Sequence, residues 1–149
     1  MQSPRSFEIP RDRHYNGAHH LWVQHDQASG RVRIGVDAIG LDALGELAYI
    51  GIEGCGTTVA AGGALGSLEA AKMTTSIVSP VAGMVVSRNE TVLEDPQLVN
   101  RDPYGAGWLV EIEPADWQRD AASLIQGEAI GPWVESELAR LAAEDDQAR

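Results

Sequence analysis

The sequence predicts a mainly β fold: a small barrel or sandwich of short strands, closed by one C-terminal helix. Three observations predict it. Apolar residues alternate with polar ones in several short runs. Glycines and prolines fall between those runs. Only the tail carries apolar residues at helical spacing. With 149 residues, 44% of them hydrophobic, the chain supports about one domain and a modest core.

The elements follow in order. Residues 1–18, with Pro4, Pro10 and Gly17 among mixed charges, read as an irregular arm. Residues 21–23 are a short apolar strand. Val32, Ile34 and Val36 alternate with Arg31, Arg33 and Gly35, the period-2 pattern of a half-buried strand. Asp37 can cap a short helix or turn that carries Ile39, Leu41 and Leu44. Residues 47–52 are apolar and β-prone, punctuated by Gly51, Gly54 and Gly56, and 57–60 resumes a strand. Gly62-Gly63 is a turn, 64–68 is extended, and Ile77-Val78 precedes Pro80. Val81-Ala82-Gly83 turns again, and Met84, Val85 and Val86 run to a polar stop at Ser87-Arg88-Asn89. Residues 90–107, with Pro96, Pro103, Gly105 and Gly107, read as loop. Residues 108–112 alternate once more and end at Pro114. Gly131-Pro132 resembles a helix start, and Ile130, Val134, Leu138 and Leu141 recur at helical spacing beside it. This helix is expected to lie on the β-domain and to fray over residues 145–149. The whole reads as one domain, 1–149: an arm at 1–18, a core at 19–117 and a helical extension at 118–149.

Charge and composition narrow the function. Net charge is −11 and the pI is near 4.6. So acidic a chain argues against nucleic acid and against anionic lipid as partners. The longest near-apolar stretch, about 47–52, is far too short to span a bilayer. Arg5, Arg11 and Arg13 have no apolar core after them, and Glu8 and Asp12 sit among them, unlike a secretory signal or transit peptide. Cys55 is the only cysteine, which excludes an internal disulfide and a multi-cysteine zinc site. A cytoplasmic protein is expected. His14, His19, His20 and His25 cluster in sequence, but nothing makes them converge, and no metal site is expected. Residues 62–66 are not a P-loop, since the Gly-Lys step is absent. Cys55 reads as a turn or small buried residue, Asn100, Asp102 and Tyr104 as turn residues, and Trp22, Trp108, Trp117 and Trp133 as core and helix-docking residues. No nucleophile–base pair is evident, so the chain does not read as an enzyme.

The basic residues carry the sharpest signal. Ten of eleven are arginine, and Lys72 is the only lysine. Coding bias explains why lysine is scarce but not where the remaining one sits. Arginine replaces lysine for charge, but a guanidinium does not replace an amine that is to be acylated. Lys72 lies between two extended runs, with Ala70, Ala71 and Thr74 beside it. A long amine at a hairpin tip among small neighbours suits a group carrier: a stiff base, an accessible attachment point and a flexible arm.

Several motifs sharpen this. Glu69-Ala70-Ala71-Lys72 and Ser79-Pro80-Val81-Ala82-Gly83 resemble the lipoyl/biotinyl carrier pattern. The stretch 98–109, with its Asn-Arg-Asp-Pro-Tyr-Gly-Ala-Gly-Trp core, resembles the signature of the glycine cleavage H-protein family. His20-Leu21-Trp22-Val23 and Gly56-Thr57-Thr58-Val59 also resemble that family, and the resemblance covers about residues 19–117. It implies a hammerhead barrel-sandwich of two antiparallel sheets with short helices and a C-terminal helix. It implies lipoate amide-linked to Lys72, with Glu69 helping a lipoate ligase or lipoyl transferase to recognise the hairpin and His20 near the arm. It implies a carrier, not an enzyme, that shuttles a lipoyl-bound intermediate and reducing equivalents among glycine decarboxylase, aminomethyltransferase and dihydrolipoyl dehydrogenase. The sequence departs from the family where Leu21 replaces the usual Glu, where Ala70-Ala71 replace Ser-Val, and at 36–40. Residues 41–48 and the Glu-Ala-Ala-Lys site are compatible too with H-like lipoate-binding proteins that serve sulfur-transfer and heterodisulfide-reductase-like enzymes. Lys72-Met73 also raises a biotin carrier, which the absence of Met at Ala71 weakens.

Overall fold

The computed structural model describes residues 7–147. Pro4 and Arg5 of the expected arm, and the last two residues of the expected frayed end, lie outside them. Two antiparallel sheets form the body. The larger holds β1 (His14–Asn16), β2 (Leu21–His25), β3 (Val32–Val36), β5 (Thr58–Val59), β8 (Gly83–Arg88) and β9 (Val110–Pro114), in the order β1-β2-β3-β9-β8-β5. The smaller holds β4 (Leu47–Ile52), β6 (Ala64–Ala70) and β7 (Thr74–Val78), in the order β4-β6-β7.

Alternation places the core. Val32, Ile34 and Val36 of β3 and Leu21 and Val23 of β2 face Ile50, Ile52, Leu65, Leu68 and Ile77 of the smaller sheet in one buried cluster. The residue between Leu21 and Val23 points the other way. That residue is Trp22, 1% exposed, in a second cluster with Ile9, Tyr15, Ile39, Ile130 and Leu141. Its ring lies against the backbone of Gly35, where a Cβ would stand 2.4 Å from Trp22 Cε2. Only glycine fits there.

Asp37 is the cap that the sequence predicts: its side chain accepts from the Gly40 N–H and opens α1 (Ala38–Leu44). The strands fall where alternation places them, and β6 and β7 run closer to Lys72 than expected. Four expectations need correction. The arm is not wholly irregular, since β1 pairs with β2 and bridges Tyr15 to Ile125. Residues 90–107 are not simply loop: they hold α2 (Glu90–Glu94), capped by Asn89, and α3 (Gln97–Arg101). Five residues are too few for helical periodicity to register. For the same reason α4 (Trp117–Ala121), capped by Asp116, escaped notice. Finally, α5 (Ile130–Gln147) begins before Gly131-Pro132, after a 3₁₀ turn at Gly127–Ala129, and stays helical through 145–147. Arg140 bridges Glu137 and Glu144 one turn either side and supports that last stretch. Among the described residues, no helix is long and apolar enough to cross a membrane.

Candidate functional site

The candidate site is the β6–β7 hairpin. Its strands pair in register, Glu69 opposite Thr74 and Leu68 opposite Thr75. Leu68 and Ile77 are buried and anchor the hairpin in the core. The Ala70 N–H donates to the Met73 carbonyl at 2.9 Å, leaving Ala71 and Lys72 as the tip. Two-residue hairpin loops usually need positive φ to match the twist of their strands. Among the described residues His20 is the only non-glycine with positive φ, so neither Ala71 nor Lys72 adopts it.

The tip is braced from outside instead. The Ala71 N–H donates to the Glu46 carbonyl at 2.9 Å, and the Lys72 N–H to the Leu44 carbonyl at 3.1 Å. Lys72 Nζ donates to the Asp42 carbonyl at 3.0 Å. Those carbonyls belong to the C-terminal end of α1 and the turn into β4, where the helix dipole favours a cation. The turn is made at Gly45, with φ +82°, and a Cβ there would stand 3.5 and 3.6 Å from Lys72 Cγ and Cε. The lysine stem therefore lies along a bare glycine.

The same turn is gripped from its far side. Asn100 Oδ1 accepts from the Leu47 N–H at 2.9 Å, and Asn100 Nδ2 donates to the Gly45 carbonyl at 3.0 Å. Tyr104 Oη accepts from the Ala38 N–H at the start of α1, and Trp22 Nε1 donates to the Pro103 carbonyl. Burial pushes the Tyr104 hydroxyl well above its ordinary range, so it stays protonated. Of the residues read as turn formers, Asp102 holds its own loop through the Ala106 N–H. Asn100 and Tyr104 reach across to other elements, which sequence reasoning missed. Their only signal was membership of the 98–109 stretch.

Glu69 is exposed on β6, opposite Tyr49 of β4. Tyr49 and Met73, 55% and 50% exposed, are two large apolar side chains left open near the hairpin. A half-open cleft of about 180 Å³ runs beside it, lined by Met73, Ser76 and Ile77 on one side and by His20, Gly40 and Leu44 on the other. Both His20 ring nitrogens are engaged: Nδ1 lies 3.3 Å from Asp37 Oδ2, and Nε2 lies 2.8 Å from Glu137 Oε1. Burial opposes its charge, but the hydrogen bond to Asp37 and the charges of Asp37 and Glu137 outweigh that and raise its pKa. Elsewhere, His14 and His25 pack on Trp117, and Cys55 sits exposed in a turn rather than buried. Among the described residues no three His, Cys, Asp or Glu side chains converge to hold a metal.

A two-sheet barrel that presents one braced lysine at a hairpin tip defines a class: a small carrier domain. The chain belongs to the glycine cleavage H-protein family, whose sequence model matches residues 13–137. It is a carrier rather than a catalyst. It is 36% identical to glycine cleavage system H protein 2 of Aquifex aeolicus over 128 residues, 86% of this chain and 79% of the relative. It is 41% identical to the glycine cleavage system H protein of Micrococcus luteus over 108 residues, 72% of this chain and 84% of the relative. The fold matches the crystal structure of a glycine cleavage system H protein from Mycobacterium marinum with a TM-score of 0.73 at 31% identity, covering 91% of this chain and 99% of that one.

Proposed function

We propose that this protein is a lipoyl carrier of the glycine cleavage type, working as one domain in the cytoplasm, with lipoate amide-linked to Lys72. One observation carries the reading: the only lysine in the chain stands at the tip of a braced hairpin, exposed and among small neighbours. The residues fit the group. An exposed primary amine is the nucleophile that an acylating enzyme needs, and the adjacent cleft offers a part-apolar wall. When bound, lipoate supplies a two-electron dithiol–disulfide couple on a long arm.

The chain's own residues supply the rest. Lys72 fixes the root of the arm, and the buried Leu68 and Ile77 keep that root rigid. Glu69 offers an exposed carboxylate to a lipoate ligase or lipoyl transferase. His20 lines the far wall of the cleft beside the arm's root. The net charge of −11 favours partners with basic docking patches and speeds their encounter. Those partners are glycine decarboxylase, aminomethyltransferase and dihydrolipoyl dehydrogenase.

The test is intact mass of the protein from its native host, with mapping of the peptide that contains Lys72. A lipoyl increment on Lys72, lost in Lys72→Arg, is expected. A biotinyl increment, or a bare lysine while the pathway is expressed, overturns the reading. Reconstitution then separates pathways. Turnover with the glycine cleavage enzymes supports this assignment, and turnover only with sulfur-transfer enzymes moves the carrier to sulfur oxidation.

A further inference from the structure

We propose that Asn100 is the positioning residue of the attachment lysine: it locks the Gly45 turn on which the tip of the hairpin rests. The inference rests on Lys72 being the attachment point and goes beyond it, because Asn100 lies outside the hairpin and directs its hydrogen bonds to Gly45 and Leu47.

First, the tip does not hold itself. Ala71 and Lys72 lack the positive φ that shapes a tight two-residue loop. Both side chains are exposed, so packing does not hold the tip either. Second, what holds it is one short stretch of main chain. The Leu44 and Glu46 carbonyls take the Lys72 and Ala71 N–H groups, and the Asp42 carbonyl takes Lys72 Nζ. Third, that stretch is itself a glycine turn at φ +82°, the most deformable kind of backbone. One side chain spans it. Asn100 receives the N–H of Leu47 and donates to the carbonyl of Gly45, closing the turn from both sides of Glu46. The carbonyls of Leu44 and Glu46, one residue from each gripped group, are then fixed in direction.

An amide suits this task. It carries a donor and an acceptor on one rigid plane. Aspartate keeps the acceptor for Leu47 but sets an oxygen against the Gly45 carbonyl, and alanine loses both contacts. A hairpin released from its brace samples more orientations, and an enzyme that recognises one of them meets a smaller competent fraction. Apparent affinity falls by that fraction while the chemical step is unchanged.

The experiment uses the full chain with a lipoate–protein ligase, lipoate and ATP, and pairs lipoylation kinetics with site-resolved amide exchange. For Asn100→Ala, exchange at Ala71 and Lys72 is expected to quicken by about tenfold or more, as for loss of a supporting hydrogen bond, while Ile34 and Ile112 of the barrel stay protected. KM for lipoylation is expected to rise by about three- to tenfold with kcat near wild type. Asn100→Asp is expected to keep protection at Leu47 but to lose it at Ala71 and Lys72, which also serves if the alanine variant does not fold. Unchanged protection at the tip overturns the proposal. So does protection lost evenly across the barrel, or an unchanged KM. Failure of wild type to accept lipoate overturns the carrier reading instead, and the exchange data still decide whether Asn100 braces the tip.

Discussion

The lysine hairpin and the corner under α5 are held by opposite means. At the corner, side chains do the holding. Tyr15 and Trp22 are almost wholly buried, Trp133 packs on Tyr15 and on His20, and Arg13 lies over the rings of Trp22 and Tyr104. At the hairpin tip main-chain carbonyls do the holding: those of Leu44 and Glu46 take the backbone N–H groups and that of Asp42 takes Lys72 Nζ, while the side chains of Ala71 and Lys72 stay exposed. Bracing through main-chain carbonyls leaves the side chains of the tip exposed, whereas packing buries those of the corner.

Four measurements would break or sharpen that contrast, beginning with the largest effect. Trp22→Ala removes the largest fully buried side chain and strands its bed at Gly35, so it is expected to cost about 3–5 kcal/mol in denaturant unfolding. A loss under about 1 kcal/mol would mean that the corner does not carry the fold. Asp37→Ala takes away the α1 cap and a buried partner of His20, and about 2 kcal/mol is expected from the same unfolding assay. A smaller pH effect follows at the corner. The His20 pKa is raised above its ordinary 6.5 when folded, so its contribution is full below 6.5 and is lost as pH rises through the folded value. Burial raises the Glu137 pKa, but Arg140 and His20 together lower it below its ordinary 4.5, so its contribution is full above 4.5 and is lost as pH falls further. The joint is therefore tightest between 4.5 and 6.5. His20→Asn keeps a residue that tolerates positive φ, and unfolding free energies from pH 5.5 to 8 should fall less in this variant than in wild type. Equal slopes would remove His20 from the account. The smallest effect belongs to the tip: Ala71→Ser should stay within about 0.5 kcal/mol of wild type, since that side chain is exposed and the main chain does the work.

Much of the fold was legible because it is periodic. Strand β3 showed itself through Val32, Ile34 and Val36, and α5 through Ile130, Val134 and Leu141. Asp37 was legible as a cap because capping is local in sequence. The short helices α2, α3 and α4 were not, since five residues give no period to read. The exposed hairpin-tip position of Lys72 was legible from the extended runs on either side and from its small neighbours. The brace behind it was not. Asn100 and Gly45 are 55 positions apart, and no local pattern connects a side chain to a turn so distant. The engagement of His20 was hidden for the same reason, because Glu137 comes from α5 at the other end of the chain.

The external brace has a consequence for transplantation. Residues 66–80 look like a portable tag, a lysine with its own two strands. They carry the amine but not its aim, because the carbonyls that orient the tip come from residues 42–46. Grafted alone onto another barrel, the loop would keep its composition and lose its orientation. A working cassette would have to be discontinuous: the hairpin, the glycine turn beneath it and the asparagine that locks the turn, moved together.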